Sequence, residues 1–200
     1  MGSNENTIGT NLEVLIGEAR DCQVCAPSLP HEPRPIFQAG RSARLLIVGQ
    51  APGVRVHASG VPWDDASGDR LREWLQLDRD RFYDPEQVAL LPMGFCYPGK
   101  GRSGDLPPRR ECAPLWMQLF RDQLTGIRLT LAIGVYAQRF LLKDRVRATL
   151  TETVRAFNDY LPDAVLPLPH PSPRNNTWLR KNPFFETEVL PELRRRLARI

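Results

Sequence analysis

The chain has 200 residues, which suits one domain of roughly 150 residues better than two. With 42% hydrophobic residues, 25% charged residues and 4 Cys, its composition excludes a disordered chain, a collagen-like repeat and a disulfide-dense secreted scaffold. The net charge of +4 permits a polyanionic partner without requiring one. No apolar run approaches the roughly 20 residues that span a bilayer, and the first residues lack signal-peptide features. We therefore expect a cytoplasmic monomer in which residues 1–6 are flexible.

Four short apolar runs, each followed by turn residues, predict buried strands at 45–48, 88–93, 129–133 and 165–168. Apolar residues recur at helical spacing between and after them, within 71–75, 115–124, 136–141 and 189–197. This alternation predicts an α/β fold: a single three-layer αβα domain over residues 1–200 with a central, mostly parallel four-stranded sheet. Ligands of such sheets bind beyond the carboxyl ends of the strands, so the loops after the strands are the first places to look for a site.

The loop after the first predicted strand contains two glycines, whose backbone N–H groups could converge on an anionic or carbonyl-bearing ligand. Its residues are Gly49, Gln50, Ala51, Pro52 and Gly53. The alternative is a plain strand-exit turn, since neither the G-x-G-x-x-G nor the G-K-[ST] pattern is present.

Further along, Trp63 precedes two acids, Asp64 and Asp65, at the start of a predicted helix. One interpretation makes either acid an N-cap and the tryptophan a core residue. The other makes Trp63 a stacking platform for a flat ring, beside a carboxylate that orients water or stabilises positive charge on a sugar.

The fourth predicted strand runs into His170, which is followed by a proline-framed loop with Arg174 and Asn175 at its tip. A lone histidine is usually structural. Here the prolines restrict the backbone, so the imidazole is also a candidate donor to developing negative charge.

Two cysteine pairs complete the motifs: Cys22 and Cys25 form C-x2-C, and Cys96 and Cys112 follow much later. In an intracellular chain, four thiols suit one zinc ion or one iron–sulfur cluster better than disulfides. Spacing alone does not choose between these metals, and four unrelated buried cysteines are the remaining alternative.

Together these segments resemble the uracil-DNA glycosylase superfamily, specifically its iron–sulfur branch, the family 4 and family 5 enzymes. LIVGQAPG at 46–53 looks like the first family motif and HPSP at 170–173 like the second, and the cysteine layout is similar to the one that holds a 4Fe-4S cluster. The resemblance spans residues 22–185. It implies a DNA glycosylase of base excision repair that flips uracil, or a related deaminated base, out of DNA and hydrolyses its N-glycosidic bond.

The resemblance also implies a role for each matching residue. Trp63 would stack on the flipped base, His170 would hydrogen-bond its carbonyl, and Asp65, with Asp64 as substitute, would activate water. The loop of Gly49, Gln50, Ala51, Pro52 and Gly53 would contact the base. Arg174 occupies the place of the residue that fills the vacated stack, and the loop cations Lys100, Arg102, Arg109 and Lys181 are candidates to hold phosphates.

The chain departs from the family pattern at Pro92, where relatives carry an Asn that reads the uracil edge. Proline has no side-chain amide and no backbone N–H, so base selectivity would fall to Gln50, Asn175 or a backbone group. Three alternatives stay open: a glycosylase for another lesion such as hypoxanthine or xanthine, a DNA-binding iron–sulfur protein with little activity, and a small-molecule α/β hydrolase.

Overall fold

The computed structural model describes residues 11–102 and 104–200. The expected flexibility of residues 1–6 lies outside these residues. Four strands form one all-parallel sheet in the order β2-β1-β3-β4. They are β1 (Leu45–Val48), β2 (Val88–Leu90), β3 (Leu129–Ile133) and β4 (Val165–Leu168).

Helices cover both faces of the sheet, which confirms the predicted three-layer αβα domain. Alternate residues of a strand point to opposite faces, so β1 divides between two cores. Leu45 and Ile47 belong to one core with α3 and α9, and Leu46 and Val48 belong to the other with α1, α5 and α6. The α-helices are α1 (Leu12–Arg20), α2 (Val54–Ser59), α3 (Ala66–Leu75), α4 (Arg79–Tyr83), α5 (Cys112–Gln123), α6 (Gly134–Leu142), α7 (Leu150–Arg155), α8 (Asn176–Lys181) and α9 (Leu190–Leu197).

Strand β2 is shorter than the sequence predicts, ending at Leu90 rather than at residue 93. The backbone still follows β1 beyond that point, because Leu91 N–H donates to Ile47 O at 3.0 Å and Met93 N–H donates to Gly49 O at 2.9 Å. Pro92 lies between these donors and has no N–H, so the regular ladder stops there. The pairing nevertheless holds residues 91–94 against the loop that leaves β1.

The predicted terminal helix at 189–197 also differs in its first turn. A π-helical turn (Phe185–Val189) precedes α9, and a proline lies in the first turn of α9. That proline cannot donate a backbone hydrogen bond, so the chain changes its winding before α9 begins. Within the described ranges, no helix combines the length and apolarity needed to cross a membrane.

Candidate active site and cysteine cavity

The loops that leave β1, β2 and β4 line a cavity at the carboxyl ends of the strands. We call it the inner cavity; Gln50, Trp63, Asp65, Pro92 and His170 line it, together with Ala51, Pro52, Gly53, Ser67 and an apolar wall of Ile36, Val56 and Pro62. It opens into an outer cleft of about 1020 Å³ that shares the β1 loop, Asp65 and His170 and adds Gly104, Asp105, Ser172 and Arg174. The structure thus brings residues 50–53 of the loop after β1 together with His170 and Arg174 of the loop after β4.

His170 is a neutral hydrogen-bond donor in this cavity. Burial lowers the pKa of its imidazole below 6.5, although the carboxylates of Asp65 and Asp105 partly oppose that shift. Its Nδ1 accepts the backbone N–H of Ser172 at 3.2 Å, so the single proton of the neutral ring is on Nε2. A second contact holds the same loop, because Arg70 Nη1 donates to Ser172 O at 3.2 Å.

Trp63 lies in the inner cavity with its indole stacked on the imidazole of His170. The ring centroids are 5.7 Å apart and the planes are 29° from parallel. Its φ of 58° is unusual for a bulky residue, and such strain concentrates at functional sites. Two glycines allow this placement: a Cβ at Gly49 would lie 2.8 Å from the indole Cζ2, and a Cβ at Gly68 would lie 1.7 Å from the Trp63 carbonyl oxygen. Trp63 is only partly buried, so it remains available to a ring in the cavity.

The two acids after Trp63 face different surroundings. Asp65 is the N-cap of α3 and its Oδ1 accepts the Gly68 N–H at 2.9 Å, while the same side chain lines both the inner cavity and the outer cleft. The capping and the functional interpretations of Asp65 are therefore compatible. Asp64 lines neither space and forms an ion pair with Arg79 at 3.4 Å.

The two side-chain candidates for reading the base edge, Gln50 and Asn175, are placed differently, and Pro92 stands at the position of the family's Asn. Gln50 lines both spaces, and its Nε2 lies 3.5 Å from Leu106 O. Pro92 lines the inner cavity and offers only ring carbons there. Asn175 lines neither space, because its Nδ2 donates to His170 O at 2.7 Å and so braces the histidine loop. Gln50 is the side-chain amide that the described fold places against the cavity.

Only some of the predicted phosphate-binding residues lie at or beside the outer cleft. Arg174 lines the outer cleft, with its guanidinium against Gly104, and Lys100 and Arg102 are exposed on the adjoining loop. Lys181 is exposed at the end of α8 and does not line the cleft. Arg109 lies instead at the cysteine cavity and forms an ion pair with Glu111 at 2.7 Å.

All four cysteines line a second, mostly apolar cavity, which we call the cysteine cavity. Burial raises the pKa of the Cys96 thiol to about 11 and that of the Cys112 thiol to about 12, and it also raises the pKa of Cys25. The Phe95 N–H donates to Cys112 Sγ at 3.3 Å. Two buried N–H groups at this cavity, Trp116 Nε1 and Arg109 Nε, have no hydrogen-bond partner within the described part of the chain.

The donor set and the orphaned N–H groups suit a group that accepts hydrogen bonds and is bound by four thiolates. In residues 11–102 and 104–200, no three His, Cys, Asp or Glu side chains are arranged to hold a metal ion. A single zinc ion requires four ligands at about 2.3 Å from sulfur, whereas a cluster of several irons holds its thiolates farther apart. Four thiolates can ligate either a zinc ion or an iron–sulfur cluster, so the donor set admits both groups.

Sequence reasoning missed Asp105, which lines the outer cleft and faces His170. The available signal was weak: an acid in a glycine-rich, exposed segment after the second strand. The segment folds back on itself, since Gly101 N–H donates to Gly104 O at 2.6 Å and Leu106 N–H donates to Gly99 O at 2.9 Å. That return brings Asp105 to the site, and Tyr97 Oη donates to Asp105 Oδ1 at 3.4 Å.

Residues 37–194 match the family model described as the uracil DNA glycosylase superfamily. Since the match covers well over half of the chain, the protein belongs to this superfamily, whose members are generally DNA-acting N-glycosylases. The matched range contains the β1 loop, Trp63, Asp65 and His170. It contains Cys96 and Cys112 but begins after Cys22 and Cys25, so it does not distinguish an iron–sulfur branch.

Proposed function

We propose that this protein is a DNA glycosylase that extrudes uracil or a related deaminated base from DNA and hydrolyses its N-glycosidic bond. The observation that carries the proposal is the convergence of a neutral His170, Trp63 and Asp65 on one cavity at the carboxyl edge of the sheet. A departing base anion needs a donor, a flat base needs a stacking surface, and a cationic sugar needs a carboxylate. The inner cavity holds all three.

His170 stabilises the base as it leaves. Cleavage of the bond between C1′ and the base nitrogen leaves the electron pair on the base, where negative charge spreads to a carbonyl oxygen. The Nε2–H of His170 is a donor toward that charge, because in the neutral ring Nδ1 accepts the Ser172 N–H and the single proton is on Nε2. Because Ser172 and Asn175 hold the loop from two sides, the donor is oriented before the substrate binds.

Asp65 and Trp63 serve the sugar and the base respectively. With Oδ1 bound to the Gly68 N–H, the second oxygen of Asp65 remains for the developing positive charge and for water. Trp63 provides a ring face for the extruded base, which offsets part of the few kcal/mol that unstacking costs. Gln50 and backbone groups of the β1 loop face the base edge.

DNA would approach across the outer cleft, which Arg174 lines, and Lys100 and Arg102 are exposed on the adjoining loop. Lys181 contributes at most a peripheral phosphate contact, given its position at the end of α8. We expect the protein to be a monomer in solution, and light scattering on the purified protein would test this.

We also propose that Cys22, Cys25, Cys96 and Cys112 hold a 4Fe-4S cluster. The apolar cavity, the Phe95 N–H on Cys112 Sγ and the orphaned N–H groups of Trp116 and Arg109 support this proposal. When bound, the cluster supplies a crosslink between the segment after α1 and the start of α5, and glycosidic hydrolysis requires no redox step. A brown protein absorbing near roughly 400 nm, with iron and sulfide in equal amounts, is expected; a colourless protein with one zinc would contradict it.

The deciding experiment is base release from oligonucleotides with a single uracil, hypoxanthine or xanthine, single- and double-stranded, followed by alkaline cleavage of the abasic site. We expect release by the wild type and strong loss in Asp65→Asn and His170→Ala. Asp80→Asn is the matched control, because it removes one exposed carboxylate on α4.

A second candidate, a glycosylase for a lesion other than uracil, is favoured by one observation. Pro92 lines the inner cavity where relatives carry an amide, so the contact that selects uracil is missing at that point. Preferential release of hypoxanthine or xanthine would establish this candidate. Salt-dependent DNA binding with no release of any base would contradict both candidates and indicate a DNA-binding protein.

A further inference from the structure

We propose that Asp105 is a second active-site carboxylate, which together with Asp65 holds the water that attacks the sugar, and this inference rests on the proposed function. The two acids are far apart in sequence, one capping α3 and the other on the loop after β2. Both line the outer cleft where it meets the inner cavity.

The two carboxylates approach the same side of Gly53. A Cβ built on Gly53 would lie 3.4 Å from Asp105 Oδ2 and 4.0 Å from Asp65 Oδ2. The two oxygens are therefore no more than 7.4 Å apart, the sum of these distances. Apart from the glycine and its chain neighbours, no other described heavy atom lies within 4 Å of that point, and the outer cleft that both acids line leaves room for a water molecule beside it.

Each carboxylate is anchored through one oxygen and presents the other. Asp65 Oδ1 accepts the Gly68 N–H at 2.9 Å, and Asp105 Oδ1 accepts the Tyr97 hydroxyl at 3.4 Å. The Oδ2 atoms are the ones that approach Gly53. This arrangement suits two acceptors oriented toward one donor molecule, because a water molecule has two O–H groups to donate.

The pKa of His170 gives separate support for the approach of Asp65 and Asp105 to one space. Both carboxylates are close enough to raise the pKa of its imidazole against the larger effect of burial. The group that meets the leaving base and the two groups that would hold water therefore face one space. In the reaction, the C1′–N bond breaks with its electron pair on the base, and the water oxygen bonds to C1′.

The proton balance of that step defines the two roles. The water donates one hydrogen bond to each Oδ2, which directs its lone pair at C1′. Asp65 takes the proton released by the attacking water, while Asp105 accepts the other O–H and fixes the water's orientation. The base leaves as an anion that His170 stabilises, and the proton on Asp65 passes through solvent to the base. The sum is one water consumed, one abasic sugar and one neutral base.

The test is single-turnover base release by Asp105→Asn, with DNA affinity measured separately by fluorescence anisotropy. We expect release to slow by about 10- to 100-fold, while affinity stays equal or rises because a negative charge near phosphate is removed. The double variant Asp65→Asn/Asp105→Asn should lose little more than the slower single variant, since both act on the same water. Asn is as good an N-cap as Asp, so α3 stays capped at residue 65.

Gly53→Ala tests the water space directly. The residue has φ of −86°, which any L-residue adopts, and the added methyl would meet nothing closer than 3.4 Å, so the fold should survive. The methyl nevertheless occupies the space between the carboxylates, and release should fall by about 10-fold or more. Asp80→Asn is the charge-matched control for Asp105→Asn.

The outcomes separate this inference from the proposed function. Histidine NMR titration gives a readout without catalysis, and with His31, His57 and His170 the chain offers few signals to assign. Asp105→Asn should lower the pKa of His170 further. An active wild type with Asp105→Asn within about two-fold of its rate, or with DNA affinity lost in parallel, would overturn the inference. A wild type inactive on every base would overturn the proposed function instead, while an unchanged His170 pKa would refute the geometry.

Discussion

Replacing His170 by Ala tests the proposed chemistry most directly. The change removes the Nε2–H donor aimed at the departing base, and one such donor to developing charge is worth about 2.7–4 kcal/mol, or roughly 10²- to 10³-fold in rate. It also leaves the Ser172 N–H without its acceptor, which costs about 1–3 kcal/mol of stability where the group is buried. We therefore expect a large loss of single-turnover rate with a smaller loss of thermal stability.

The pH dependence separates donation by a neutral ring from donation by a cation. Burial lowers the pKa of His170, so the imidazole is neutral at pH 7 and gains its proton only below pH 6.5. Release by the wild type should stay level as the pH falls from 8 through 6.5 and decline only below that pKa. Asp65→Asn should lower the pKa of His170 further, because a carboxylate that favoured the imidazolium is removed.

The assay is single-turnover release of the preferred base across that pH range, with chemical denaturation of each variant alongside. A rate that climbs as the pH falls from 7 to 5.5 would show that the imidazolium is the active form. A His170→Ala variant that keeps more than about a tenth of the wild-type rate would refute the reasoning on the magnitude of the donor.

Three further predictions concern the supports of the site. Gly49→Ala should lower both activity and stability by about 1–3 kcal/mol, measured by release assay and urea titration, because its Cβ would meet the Trp63 indole at 2.8 Å; unchanged activity would show that the indole is free to move. Asn175→Ala should slow release with DNA affinity retained, since Asn175 Nδ2 braces His170 O, and a matched loss of affinity would place it at the DNA instead. Cys112→Ser should abolish absorbance near roughly 400 nm and lower the melting temperature, and a variant that keeps both would contradict the four-cysteine ligand set.

Three of the four strands could be predicted to the residue from the sequence, because a buried parallel strand is a continuous apolar run with turn residues after it. The same rule located His170 and the Gly49–Gly53 loop, since parallel strands align their carboxyl ends at one edge. Strand β2 ends earlier than its apolar run predicts, because Pro92 has no backbone N–H to continue the hydrogen-bond ladder. The helical spacing of apolar residues correctly predicted that α3, α5 and α6 are helices. It did not predict the π-helical turn before α9.

The sequence by itself determined the layer order, the edge that carries the site, and the imidazole, indole and carboxylate available there, together with the four thiols of the cysteine cavity. Only the tertiary structure decided which atoms are left for substrate. The Asn175 amide donates to His170 O, and Asp64 forms an ion pair with Arg79, so neither side chain faces the substrate. The Ser172 N–H donates to Nδ1 of His170, which leaves the ring proton on Nε2. Asp105 joins the site because its loop folds back, and no periodicity encodes that return. Strand and helix patterns are local, whereas the orientation of a side chain between loops depends on contacts among residues far apart in the chain.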